Sequence, residues 1–133
     1  MSQEKVEVVR EYYAAWNQAG VRGVLPFWTP GFEWHDAPEM PDSSVYRGAD
    51  EVLAHFSELE DTIGRMQVEI VDLDSASGTD VFAALRVHLA GNASGLPFEG
   101  PIFEAIKLRR GQVSQIRLFL TAPEALEAAG LRE

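Results

Sequence analysis

Two carboxylates in this 133-residue chain stand in phase with apolar neighbours. Asp36 continues the alternation Phe32, Trp34, Asp36 in GFEWHDAP, so it should point where the two rings point. Glu104 stands between Ile102 and Ile106 on one face of FEGPIFEAIKLR. Burial raises a carboxyl pKa toward neutrality, which suits a general acid or base. Two acids sharing an apolar cavity would repel, so at least one should keep its proton near neutral pH and the pair should titrate as a unit. Structural roles compete with this reading. Asp36 could cap the loop that holds Pro38, and Glu104 could lie at a sheet edge or pair with a Lys or Arg.

Tyr12 and Tyr13 fall on one broad helical stripe with Val6, Val9 and Trp16. One phenol should face a pocket and the other should pack against a neighbouring helix. A buried phenol seeks a hydrogen-bond partner in either case. The three histidines, His35, His55 and His88, match no metal-ligand spacing, so no metal site is expected. There are no cysteines, which excludes a disulfide framework, a thiolate metal site and cysteine catalysis. The glycines of the Gly91–Gly95 loop lack the strand-to-helix setting of a phosphate cradle. Trp16, Trp28, Trp34 and Phe56 read as core and pocket wall, with Ile102 and Leu118 beside them.

Composition bounds what such a site can serve. Hydrophobic residues make up 46% of the chain and charged ones 24%, enough for one domain, residues 1–133, with its own core. The net charge of −10 repels phosphate backbones and anionic lipid, which argues against nucleic acid or membrane as partner. The apolar runs are too short to span a bilayer, and the acidic start MSQEKVEVV has no signal-peptide core. A soluble cytoplasmic domain is the expectation.

The elements that must position these residues follow from periodicity. Helices are predicted near 3–19, 48–63 and 123–129, with a short or distorted one around Pro26. Strands are predicted within GFEWHDAP and at 66–74, 80–91, 98–109 and 112–121, with APEMPDSSVYR as a loop. Thr121 and Glu124 suggest a capping box. The switch from helical to two-residue period near residue 65 predicts an α+β fold, with helices on one face of a curved sheet. The other face should expose Phe82, Arg86, His88, Gln115, Arg117 and Phe119, a mixture suited to a homodimer interface.

VREYYAAWN, FEWHDAP, YRGADEVLAHF and FEAIKLRRGQVSQIRLFLTAPEALEAAGL together resemble the SnoaL-like branch of the nuclear-transport-factor-2-like superfamily over essentially the whole chain. The resemblance implies a cone-shaped, mixed or antiparallel sheet wrapped around N-terminal helices, in the manner of a cystatin-like α+β barrel. It also implies a pocket in the cone and a dimer through the outer face. The polar residues are most similar to those of ketosteroid isomerase, which uses a helix-one tyrosine, a first-strand aspartate base and a neutral carboxylic acid. These roles fall on Tyr12, Asp36 and, if one residue is dropped from the RRG turn, Glu104. Without that gap Phe103 takes the third place. Epoxide-hydrolase-like relatives need an Asp–Arg–Asp set, for which Arg86 is the nearest arginine, with strand parity against it.

The implied activity is cofactor-free isomerisation, cyclisation or hydration of a small apolar molecule, as in an isomerase or polyketide cyclase (a lyase). Asp36 would move a proton while Tyr12 and a neutral Glu104 stabilise an oxyanion. Trp16, Trp34, Phe56, Ile102 and Leu118 would hold the substrate. The alternative is a non-catalytic, dimeric module that binds a hydrophobic ligand or only buries side chains.

Overall fold

The computed structural model describes residues 2–75, 80–89 and 99–131. The turn signals at 76–79 and 90–98, including the Gly91–Gly95 loop, lie outside the described residues.

Helix α1 (Ser2–Ala19) ends at Gly20, whose φ of 70° lets the chain reverse where a Cβ would be strained. The short α2 (Val21–Val24) and a 3-10 turn (Leu25–Phe27) follow, as Pro26 dictates by removing a backbone donor. Then come β1 (Trp28–His35), β2 (Val45–Arg47) and α3 (Ala49–Ile63). Four strands complete the sheet: β3 (Met66–Asp74), β4 (Val81–Leu89), β5 (Glu99–Arg109) and β6 (Gln112–Phe119). Helix α4 (Ala122–Ala128) closes the described chain. Its N-cap Thr121 donates to the Glu124 side chain at 2.8 Å, a side-chain link in place of the expected reciprocal backbone caps.

The six strands form one open sheet in the order β2-β1-β6-β5-β4-β3. All neighbours are antiparallel except β1 and β6, which run parallel, so the sheet is mixed. Strand β1 begins at Trp28, three residues before the alternation makes it visible. Pro30 is tolerated there because the pairing with β6 breaks register between Trp28 and Glu33. Strand β2 falls in the segment expected to be a loop. Three residues are too few to show a period, and they are held by the β1 edge, with Tyr46 opposite Trp34.

One expectation about layers is corrected. Helices α1 and α3 pack on the concave face, with α2 against both of them, but α4 packs on the convex one. There Ala125 and Ala129 bury against Phe82 and Ala105, with Phe103 and Phe119 alongside. The convex aromatics are therefore covered within the chain, and Phe82 is only 4% exposed. Arg117 completes this seat by donating to the Ala128 carbonyl at 3.0 Å.

Two side chains of α1 fix it over the sheet. The Asn17 amide donates to the Val68 carbonyl and accepts from the Val68 N–H, both at 2.7 Å, as a further strand would. Trp16 donates its indole N–H to the Met66 carbonyl at 2.9 Å. On the opposite side Glu60 of α3 accepts the Val21 N–H at 3.0 Å, tying α3 to α2.

Candidate functional site

A cavity of about 520 Å³ lies between the concave face, α1 and α3. Strand alternation chooses its floor. Trp28, Phe32, Trp34 and Asp36 come from β1 and its end, Ile102 and Glu104 from β5, and Ile116 and Leu118 from β6. Helix α1 contributes Tyr12, Tyr13 and Trp16, while α3 contributes His55, Phe56 and Leu59. Met40 and Leu120 line the cavity yet are 36% and 43% exposed, so they mark its opening.

Every residue expected at the site faces this cavity: Asp36, Glu104 and Tyr12, with Trp16, Trp34, Phe56, Ile102 and Leu118 in its walls. Glu104 holds the third polar position, while Phe103 turns to the convex cluster under α4. Arg86 is exposed on the convex side, opposite Glu69 in the β3–β4 ladder. Among the described residues no three His, Asp or Glu side chains converge.

Glu104 is 3% exposed and is the one buried charged residue among those described. Tyr13 donates its hydroxyl to Oε1 of Glu104. Burial pushes the Glu104 carboxyl up from its usual 4.5 to about 7, and the Tyr13 bond, which favours the charged form, only partly opposes this. Burial is the largest cause of the shift. Extending the β1–β6 and β5–β6 registers places Asp36, Leu118 and Glu104 in one transverse row. The two acids thus sit two strand spacings apart, roughly 10 Å along the sheet.

Asp36 is held by two donors. Trp34 donates its indole N–H to Oδ1 at 2.8 Å, and the Ser44 N–H reaches Oδ2 at 3.1 Å. The Asp36 N–H returns a bond to the Ser44 carbonyl at 3.0 Å. The side chain therefore steadies the neck of the 36–44 loop while still lining the cavity.

Both tyrosines face the cavity, against the expectation that one would pack elsewhere. Their rings meet edge to face at 5.3 Å. The Tyr12 hydroxyl accepts from the Trp28 indole at 3.0 Å, and among the described residues nothing accepts its own proton. Burial, helped by the nearby Glu104 charge, raises the pKa of both phenols, so both stay protonated as donors at neutral pH.

Sequence reasoning missed the partners of two residues here and the place of a third. Tyr13, not Tyr12, holds Glu104. Trp28 orients Tyr12, and stacks on Phe32 at 4.6 Å. His55 lines the cavity from the α3 stripe, one turn from Val52 and from Leu59, and that spacing alone could have revealed it.

A family model for the SnoaL-like domain matches residues 9–116. No curated protein matches the chain. Among solved structures, a putative SnoaL-like polyketide cyclase from Jannaschia sp. CCS1 is 21% identical, with a TM-score of 0.72, over 99% of this chain and 94% of that one. Bal32a, from a soil-derived mobile gene cassette, is 18% identical, with a TM-score of 0.75, over 88% of each chain. SalBIII, an epoxide hydrolase/cyclase-like enzyme of pyran ring formation in the polyether salinomycin, is 17% identical, with a TM-score of 0.74, over 88% of this chain and 90% of that one. At these identities the likeness is one of fold.

Proposed function

The chain belongs to the SnoaL-like domain family, and on that premise we propose that it is an enzyme of cofactor-free acid/base chemistry on a small, mostly apolar substrate. The observation that carries this reading is the Glu104–Tyr12 corner. There a carboxyl poised near neutrality and a phenol with an unclaimed proton face an aromatic-walled cavity that also holds Asp36.

In this mechanism a substrate carbonyl oxygen accepts hydrogen bonds from Tyr12 and from protonated Glu104. Asp36 takes the proton from the carbon beside that carbonyl. The electron pair of the broken C–H bond moves onto the oxygen, where the two donors stabilise it. Return of the proton to another carbon completes an isomerisation. Attack of the enolate carbon on a second carbonyl within the substrate, with the proton on Asp36 passing to the alkoxide that forms there, completes a cyclisation. The apolar walls exclude water and strengthen both donors.

Alpha-proton exchange of 2-tetralone in D2O, followed by NMR, tests the proposal. The protein should accelerate exchange above the buffer rate, Asp36→Asn should abolish the acceleration, and Tyr12→Phe and Glu104→Gln should each reduce it. Binding of 2-tetralone without accelerated exchange would favour the second reading, a non-catalytic module for hydrophobic ligands, which the aromatic lining also suits.

The same proposal assigns one domain to the chain, a cytoplasmic setting, and no nucleic-acid or membrane partner. It also assigns a homodimer that pairs through the part of the convex face beyond α4, around the exposed Arg86.

A further inference from the structure

The polar groups of the cavity are not all at one end. Glu104, Tyr12 and Tyr13 meet where β5 faces α1. His55 lies on α3, its ring stacked on Tyr46 of β2 at 4.1 Å and 15°. The edge of Phe56 meets it at 4.9 Å. Since β2 and β5 are separated by β1 and β6, these two polar ends stand three strand spacings apart, roughly 14 Å along the sheet, with Asp36 at the end of β1 between them.

Two aromatic contacts fix the plane of the His55 ring, yet among the described residues no hydrogen bond reaches either imidazole nitrogen. Its ring contacts are Tyr46 and Phe56, and the indole N–H of Trp34, which meets the same Phe56 ring, is already committed to Asp36. The ring is half-buried, so its nitrogens, without a partner among the described residues, offer a donor and an acceptor to water or to a ligand oxygen that reaches this end of the cavity.

We infer that His55 is a second polar anchor, selecting ligands that carry a hydrogen-bonding oxygen at the end of an apolar skeleton remote from the oxygen held by Tyr12 and Glu104. This rests on the proposed function for the inner end, and assigns to His55 the length and the far-end chemistry of the ligand. The ligand class is an elongated, largely apolar molecule with oxygen functions at both ends. His55 discriminates by hydrogen bonding, and Tyr46 and Phe56 keep its ring in place.

Biphenyl, 4-phenylphenol and 4,4′-biphenol separate the two anchors when their affinities are measured by calorimetry. The first hydroxyl should tighten binding, and this gain should be lost in Tyr12→Phe. The second should tighten it further, by about fivefold for one net hydrogen bond. His55→Phe, which preserves the stack on Tyr46, should remove only the second gain and leave 4-phenylphenol affinity within about twofold. In the unaltered protein the His55 ring proton signals should move on adding 4,4′-biphenol and stay in place on adding biphenyl. Absence of the second gain, or its survival in His55→Phe, overturns the His55 assignment and leaves the inner site standing. A single-hydroxyl gain that survives Tyr12→Phe but vanishes in His55→Phe does the reverse.

Discussion

Tyr13 and Glu104, ninety-one positions apart in the chain, share a hydrogen bond in which the phenol donates to a carboxyl that has no cationic partner among the described residues. A buried carboxylate usually keeps its charge beside a Lys or Arg, so a lone phenol leaves this one costly to ionise. That imbalance brings Glu104 to the range where it can both hold and release a proton.

Stability should record the imbalance. The folded pKa of Glu104, about 7, exceeds its usual 4.5, so between these values the native state binds more protons than the unfolded chain. Its contribution is therefore most favourable at low pH and is lost as pH rises through about 7. At about 1.4 kcal/mol per pKa unit the loss is on the order of 3 kcal/mol. Glu104→Gln has no such proton, so its stability relative to the unaltered protein should improve from about pH 5 to about pH 7 and level off above that. Parallel denaturation curves across that range would contradict the assignment.

Asp36→Asn carries a different expectation from that of a carboxylate buried without partners. The Asp36 oxygens accept N–H groups from Trp34 and Ser44, and an amide can offer an oxygen to only one of them. The other donor then faces the NH2 group. Unfolding in urea should show a loss of about 1–2 kcal/mol. A stabilised variant would mean that the carboxylate is held less firmly than these bonds indicate.

Gly23 should resist the substitution that ordinarily strengthens a helix. A Cβ there would stand 2.5 Å from the Ala15 carbonyl oxygen and 2.9 Å from the Ala19 Cβ, where α2 crosses α1. Gly23→Ala should destabilise the fold by about 1–3 kcal/mol, because backbone rather than a flexible side chain must move. Thermal melting of the variant measures this directly, and an unchanged or raised Tm would refute the close approach.

The proposed dimer has a simple readout. Sedimentation equilibrium at micromolar concentration should give twice the 14.7 kDa chain mass. A monomer mass would leave the convex face to α4 alone, which already explains why Phe82 and Phe119 are there.

Local periodicity carried much of this molecule. Alternation in β1 and β5 placed Asp36 and Glu104 on the cavity side, and the helical stripe placed Trp16 and one of the two tyrosines there. These assignments need only the backbone period, which neighbouring residues express together. Contacts between distant segments were decided by the tertiary structure. Only the crossing of α1 over the sheet, set by Asn17 against Val68, brings Tyr13 rather than Tyr12 to Glu104. The edge of β1, not any pattern within Val45–Arg47, makes that segment a strand and sets Tyr46 under His55. Helix α4 could have joined the others by its own sequence, and the convex row of Phe82, Phe103 and Phe119 draws it to the opposite face. A period tells each side chain which way to point; which partner waits there depends on register, curvature and packing over the whole sheet.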